Sequence, residues 1–347
     1  MRESLLTYTQ ELLHQNLPFL LLRKSGESNV EILHQNSQKL HETPHDTMSC
    51  AVLSKFLSSE NQFYIIGEVR KSFSWEIKRR TLDGVAVNLP ENVKKEHQSR
   101  VQSAVTSLKN GALKKVVLSL KHTVSSSTDS LKILTNLLDE YPKANCYFFH
   151  HPSIGTWLGA TPETLVSYKD GLLKTMSLAG TKSALADPKI PWGIKEKNEQ
   201  QLVTDFISNA LEKVTGEKPV VGDVETIKAG SLLHLKTSLE VLVDYGKINE
   251  VVNELHPTPA VCGLPRQAAL DYIRNHENYD RSFYTGYIGI QNPVERRADY
   301  YVNLRCLEID KSNIYLYAGG GITELSIPQD EVQEIENKLM TMARIIT

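Results

Sequence analysis

No uninterrupted apolar run long enough to span a membrane or to serve as a signal peptide opens these 347 residues: in MRESLLTYTQELLHQNLPFLLL the helically spaced apolar residues are broken by Glu, His and Gln. A cytoplasmic protein with no membrane partner is the expectation. Cysteine is scarce, and Cys50, Cys146, Cys262 and Cys306 lie far apart without a CxxC pair, which argues against both a zinc site and a disulfide framework and leaves free, packed thiols. Neither sign of charge dominates. With a formal net charge of -2 and 23% charged residues, the chain has no bulk preference for nucleic acid, so any anion it binds needs a local site. Repeats and low-complexity tracts are also missing. The polar, loop-like runs at 25–29, 125–130 and 184–189 are too short to be convincing domain linkers, and the length allows either one large domain or two ordinary ones.

What is present is a mixture of helix and strand patterns. QFYIIGE, KKVVLSL, ANCYFFH, GLLKTMSLAG, YVNLRCLEI and NIYLYAGGG read as strands, between helical stretches near 93–109, 129–140, 195–214, 265–276 and 329–345. Asp170-Gly171 stands between two strand-like halves, and LRCLEIDKSNIYLYA has the same form around residues 310–313; both read as hairpins. The predicted fold class is therefore α+β (mixed α/β), with large antiparallel sheets and helices packed outside them.

Several residues sit where chemistry would use them, each beside a plainer explanation. In KEKNEQQLVTDFISNALEKV, Glu199 continues the apolar stripe of Val203, Phe206, Ile207, Ala210 and Val214 one turn earlier; it either needs a partner or merely favours the helix dipole. Glu331, Glu334 and Lys338 share one face of a helix opened by Pro328, as an exposed ion pair or as part of a site. Two such helices facing each other would offer oxygen ligands to a hard cation, and magnesium suits them better than zinc because no HExxH occurs. Gly319-Gly320-Gly321 follows a strand, either as a bulge or turn or as bare backbone that an anion can approach. The run lacks GxGxxG spacing, so it is not a dinucleotide fingerprint. Lys115 opens one strand, and Arg305 lies inside the strand-like YVNLRCLEI, where arginine often pairs with a carboxylate. Glu163 and His234 carry no signal of their own.

In order along the chain, KKVVLS, LGATPETL, SLAGTK, KEKNEQQLV, LLHLKT, LHPTPAVCGLP, YTGYIGI, VNLRC, YAGGGI and PQDEVQEIENKL resemble the isochorismate synthase branch of the chorismate-utilising enzymes, relatives of anthranilate synthase component I and salicylate synthase. The resemblance covers residues 100–347; residues 1–90 carry no usable motif. It implies a single domain over 1–347 with antiparallel sheets around a central cleft, chorismate as the small-molecule partner, Mg²⁺ as cofactor and isochorismate as product, a precursor of menaquinone or of catechol siderophores. It further implies Lys115 as general base, Glu163 as general acid, Glu199 and Glu334 as magnesium ligands with Glu331 close by, and His234 near the ring and metal. Arg305, Gly319, Gly320, Gly321 and Lys338 take the substrate carboxylates in this scheme, and the backbone of Gly180 and Thr181 also faces substrate. Gln200 and Ile335 depart from the pattern, standing where histidine and threonine are usual.

The reaction adds water at C2 as the C4 hydroxyl leaves, so the base must be free of its proton and the acid must hold one. Three other readings compete. An aminating relative is disfavoured by Lys115 and by Ala179, which stands where aminodeoxychorismate synthases carry a lysine. A salicylate synthase would use the same base and acid, and a catalytically silent chorismate-binding protein would keep only the pocket. A monomer or weak homodimer is expected.

Overall fold

A computed structural model describes residues 2–57, 62–78, 81–82, 84–111, 113–183, 191–229 and 232–347; the polar run at 184–189 therefore lies outside the described residues. The chain opens with α1 (Arg2–His14), β1 (Phe19–Arg23), β2 (Asn29–His34), β3 (Cys50–Ser54), β4 (Gln62–Ile66), β5 (Val69–Ser74) and α2 (Glu91–Lys109). There follow β6 (Lys115–Ser125), α3 (Ser130–Glu140), β7 (Asn145–His151), β8 (Gly155–Thr161), β9 (Thr164–Lys169), β10 (Leu172–Ser183), α4 (Ile194–Thr215), β11 (Val220–Ala229) and β12 (Leu232–Leu242). The remainder comprises α5 (Ile248–Leu255), β13 (Gly263–Leu264), α6 (Arg266–His276), β14 (Tyr287–Asn292), β15 (Arg297–Val302), β16 (Cys306–Asp310), β17 (Asn313–Ile322) and α7 (Pro328–Ala343).

The strands form two antiparallel sheets, of nine strands in the order β13-β6-β17-β16-β8-β7-β1-β2-β5 and of eight in the order β11-β12-β10-β9-β15-β14-β3-β4. The hairpin at Asp170-Gly171 joins β9 to β10, and both residues take the positive φ (53° and 87°) that such a two-residue turn requires. The other expected hairpin joins β16 to β17, with Asp310 facing Asn313.

Runs such as FLLL and CYFF are apolar at every position because their strands are covered on both faces. Phe19 and Leu21 of β1 and Cys146 and Phe148 of β7 face the core shared with α1, α3 and α7. Their neighbours Leu20, Leu22, Tyr147 and Phe149 face Ala51, Leu53, Ile288 and Tyr301 of the second sheet. On the far side of that sheet, Val203, Ile207 and Leu211 of α4 and Val251 and Leu255 of α5 pack against Leu165, Leu173 and Leu239. The layers thus run helix, sheet, sheet, helix. Residues 1–90, silent as sequence, supply strands to both sheets. None of the described helices is long and apolar enough to cross a membrane. All four cysteines are buried and free.

The outer edge of β6 carries Lys115 and is covered by only two residues of β13. Beyond them a buried ion pair takes over: Glu277 accepts from the Ser119 amide at 2.6 Å, and Arg281 donates to the Val117 carbonyl at 2.7 Å and to Glu277 at 2.6 Å. Both side chains are 2% exposed, so neither charge has water to fall back on. Arg281→Met, which strands the Glu277 charge, is expected to lower stability by about 3–5 kcal/mol in urea denaturation, and a loss under about 1 kcal/mol would show that the pair does not secure this edge.

Candidate active site

The chain crosses between the two sheets at two places that are bonded to each other. Pro162-Glu163 links β8 to β9, and residues 303–305 link β15 to β16. Val302 N–H donates to the Glu163 carbonyl, the Thr161 hydroxyl donates to the Val302 carbonyl at 2.6 Å, and Ala160 N–H donates to the Arg305 carbonyl at 3.0 Å. This seam fixes Glu163 and Arg305. It also corrects one expectation: Arg305 is not inside a strand but in the crossing, with φ +47°, because the apolar run around it serves two strands of different sheets. Its guanidinium reaches the Thr341 hydroxyl and His234 Nε2, each at 3.4 Å.

Gly319, Gly320 and Gly321 likewise sit neither in a turn nor at a bulge; they are regular residues of β17 paired with Ser119, Leu118 and Val117 of β6. The other neighbour, β16, pairs only as far as Leu316, so this end of β17 has a free side. Ser119 and Val117 send their amides away from β17, to Glu277 and Cys262, which leaves the backbone groups of Gly319 and Gly321 directed to that free side. A Cβ on Gly321 would stand 2.5 Å from Glu199 Oε1 and 3.0 Å from Lys115 Cε, and one on Gly320 would stand 3.2 Å from Glu331 Oε2. Glycine lets these side chains approach the strand this closely.

Lys115 is fully buried, and its Nζ lies 2.9 Å from Glu199 Oε1. The angle of that contact is not that of a hydrogen bond, so the amine meets an ion partner and makes no hydrogen bond. Across the cleft, burial raises the Glu163 carboxyl to about 8, against the opposing pull of the Lys115 charge. Gly180 and Thr181 occupy a register shift in β10 between Ala179 and Lys182, with Gly180 at φ +71°. The Gly180 carbonyl accepts from His234 Nδ1 at 2.8 Å, which fixes the ring proton on that nitrogen and leaves Nε2 to accept from Arg305. Burial, then the charges of Arg305 and Lys338, push His234 down to about 3, so the ring is neutral.

On α7, Glu334 accepts from Lys338 at 2.5 Å, and the same Lys338 amine donates to the Gly319 carbonyl at 2.7 Å. Burial alone would raise Glu334, but Lys338 and Lys195 hold it below its ordinary value. Glu331 Oε1 pairs with Lys195 of α4 at 2.8 Å; its pKa is raised by burial and then by Glu334. Each of the three carboxylates therefore already holds one lysine. Among the described residues no three His, Cys, Asp or Glu side chains stand gathered as a ready metal cage. The donor chemistry nevertheless fits a hard divalent cation: all the donors are oxygens, and the buried Glu331 Oε2, close to Gly320, finds no hydrogen-bond partner of normal geometry.

These elements line a cleft that, with the open solvent at its mouth, holds about 700 Å³ of space between atoms. Glu163, Gly180, Thr181, Glu199 and His234 line it, as do Arg305, Gly319, Gly321, Glu334 and Lys338; Lys115 and Glu331 stand behind that lining, and Gly320 faces α7. The sequence reading missed Lys195, Tyr284 and Thr285. Lys195 stands one helical turn before Glu199, which was the available signal. Tyr284 stacks on Tyr317 at 5.3 Å, and Thr285 has φ +60°, an unusual conformation for a β-branched residue that no sequence pattern announces.

The family described as chorismate binding enzyme matches residues 77–347. The salicylate biosynthesis isochorismate synthase of Pseudomonas aeruginosa is 32% identical over 265 residues, 73% of this chain and 55% of that protein. The chain spans about half the length of the curated relatives it matches first. Its fold is that of the menaquinone-specific isochorismate synthase MenF from Escherichia coli (TM-score 0.80, 21% identity, covering 96% of this chain and 89% of that one). Anthranilate synthase component I from Streptococcus pneumoniae shares it too (TM-score 0.72, 18% identity, covering 94% and 90%). The expected antiparallel, cleft-forming α+β fold is thus the observed one.

With its pKa raised from 4.5 to about 8, Glu163 binds a proton in the fold that the unfolded chain releases between those values. Its contribution favours folding below the lower value and is lost as pH rises through the upper one. Glu163→Gln, which removes the titration, is expected to melt close to wild type at about pH 5 and to be more stable than wild type at about pH 9, by on the order of a few kcal/mol. Melts showing the same difference at both pH values would refute the raised pKa.

Proposed function

The chain belongs to the chorismate binding enzyme family, and from that premise we propose that it is a Mg²⁺-dependent isochorismate synthase acting as one unit over 1–347. The observation that carries this reading is that Glu163, whose carboxyl burial pushes up to about 8, lines the cleft, while the buried Lys115 amine, which makes no hydrogen bond, stands just behind its wall. That is the acid and base that a hydroxyl shift needs.

In the proposed reaction Lys115 accepts a proton from water as its oxygen bonds C2 of chorismate. The ring double bonds shift, and Glu163 delivers its proton to the C4 hydroxyl, which departs as water. Arg305 and the free backbone amides of Gly319 and Gly321 hold the enolpyruvyl carboxylate, while His234, kept neutral, aims the guanidinium. Glu199, Glu331 and Glu334 are the residues that would hold Mg²⁺. When bound, the ion supplies positive charge for the ring carboxylate. Electrostatics supports this: Lys195 and Lys338 offset two of the three carboxylates, and with Lys115 free of its proton, as the base must be, a divalent ion together with Arg305 gives the excess positive charge that a dianionic substrate requires.

Incubation of the pure protein with chorismate and Mg²⁺ is expected to yield isochorismate on chromatography and to stop when EDTA removes the ion. Salicylate as the product would make the protein a salicylate synthase, and binding without turnover would make it a silent chorismate-binding protein. Lys115→Ala and Glu163→Gln are each expected to cost about 10²-fold or more in rate; a near-normal rate in either removes that residue from its role. Glu334→Ala should raise the Mg²⁺ concentration needed for half-maximal rate, and an unchanged titration would refute it as a ligand.

A further inference from the structure

Glu199 has an ordered place over Gly321, yet its carboxylate touches only Lys115 among the contacts described. Its position must come from the helix that carries it. In α4 no residue before Gln200 is buried, whereas Gln200 itself is 2% exposed. The Gln200 Nε2 donates to Ser177 Oγ at 2.8 Å and to Thr237 Oγ1 at 3.1 Å, and lies 3.2 Å from the Ser177 carbonyl. That carbonyl can only accept, which fixes the amide's orientation. Ser177 and Thr237 face each other across β10 and β12, so the one amide spans a cross-strand pair. One turn further on, Thr204 closes the knot by bonding both Ser177 Oγ, at 2.7 Å, and the Gln200 carbonyl, at 3.0 Å.

The knot lies immediately beneath the cleft. Ser177 leads into Ala179-Gly180-Thr181, and Thr237 follows three residues after His234. Gln200 Oε1, however, is buried without a partner. A leucine would remove the unpaired Oε1 but leave the buried Thr237 Oγ1 without its donor, so the two residues differ little in stability and stability alone does not call for an amide here.

We infer that Gln200 is the positioning residue of Glu199: by pinning α4 to the Ser177–Thr237 pair it sets the rotation and height of the helix at the turn where the carboxylate must meet a cation. The inference rests on Glu199 being a cation ligand, and the role of Gln200 is to hold that ligand in place rather than to touch ion or substrate.

The test is Mg²⁺ binding by calorimetry to the full chain, with Glu199→Gln, Gln200→Leu and Gln200→His beside wild type. Gln200→Leu is expected to weaken Mg²⁺ binding about 10- to 100-fold while its melting temperature stays near that of wild type, since loss of a supporting hydrogen bond is felt at the metal. A purely structural role would move the melting temperature and leave the dissociation constant alone. Gln200→His, which still offers a ring N–H to the two hydroxyls, is expected to recover most of the affinity. Wild-type affinity in Gln200→Leu overturns the proposal while leaving the Glu199 assignment standing; wild-type affinity in Glu199→Gln overturns that assignment and this role with it. Should Gln200→Leu not fold, Ser177→Ala and Thr237→Val each remove one acceptor, and unchanged Mg²⁺ binding in both would equally overturn the proposal.

Discussion

At Gly321 the backbone is bare, and the Glu199 carboxylate and the Lys115 side chain both lie against it, in space that a single Cβ would occupy. That absence lets α4 of one sheet's outer layer reach the free side of β17 in the other sheet. Once it does, a buried lysine acquires an ion partner it could not otherwise find, since an isolated ammonium in a fully buried position would carry a heavy desolvation cost. The same closeness brings Lys195 to Glu331, so that α4 and α7 are tied by charge across the end of the glycine strand.

The seam between the sheets imposes the second condition. Both crossings are short, and their backbone groups satisfy each other, so Glu163 and Arg305 are held by main chain rather than by flexible loops. The walls that result differ in character. Glu163 lies where burial overrides an attractive charge and keeps the proton on, whereas Glu334, whose side chain is 25% exposed, has two lysines near enough to keep it ionised. Two carboxyl groups in one cleft are thereby driven to opposite protonation, which is the usual way a fold separates an acid from an anion-bearing ligand site.

His234 shows the same economy of means. Its ring is neither an acid nor a base at ordinary pH, because burial and then the charge of Arg305 keep it neutral, and one nitrogen bonds the Gly180 carbonyl while the other meets Arg305. It passes order from the irregular part of β10 to the guanidinium, and the register shift at Gly180 is what makes that carbonyl available.

The sequence by itself settled the elements with strong periodicity: the helices at α2, α3, α4, α6 and α7, the two hairpins, and the antiparallel character that follows from them. Ordered motifs between residues 100 and 347 also named most of the side chains that the cleft gathers. Tertiary structure alone decided the rest. YVNLRCLEI reads as one strand because apolar periodicity is local, and only the docking of two sheets makes the chain turn at Arg305. The glycine run reads equally as a bulge or turn and as bare backbone, because sequence alone does not show what comes close to it; here it is the approach of α4 and α7, elements more than a hundred positions from one another in sequence. The knot beneath Glu199 was illegible for the same reason. A glutamine, a serine and two threonines have no pattern of their own, and their value lies in meeting at one point in space.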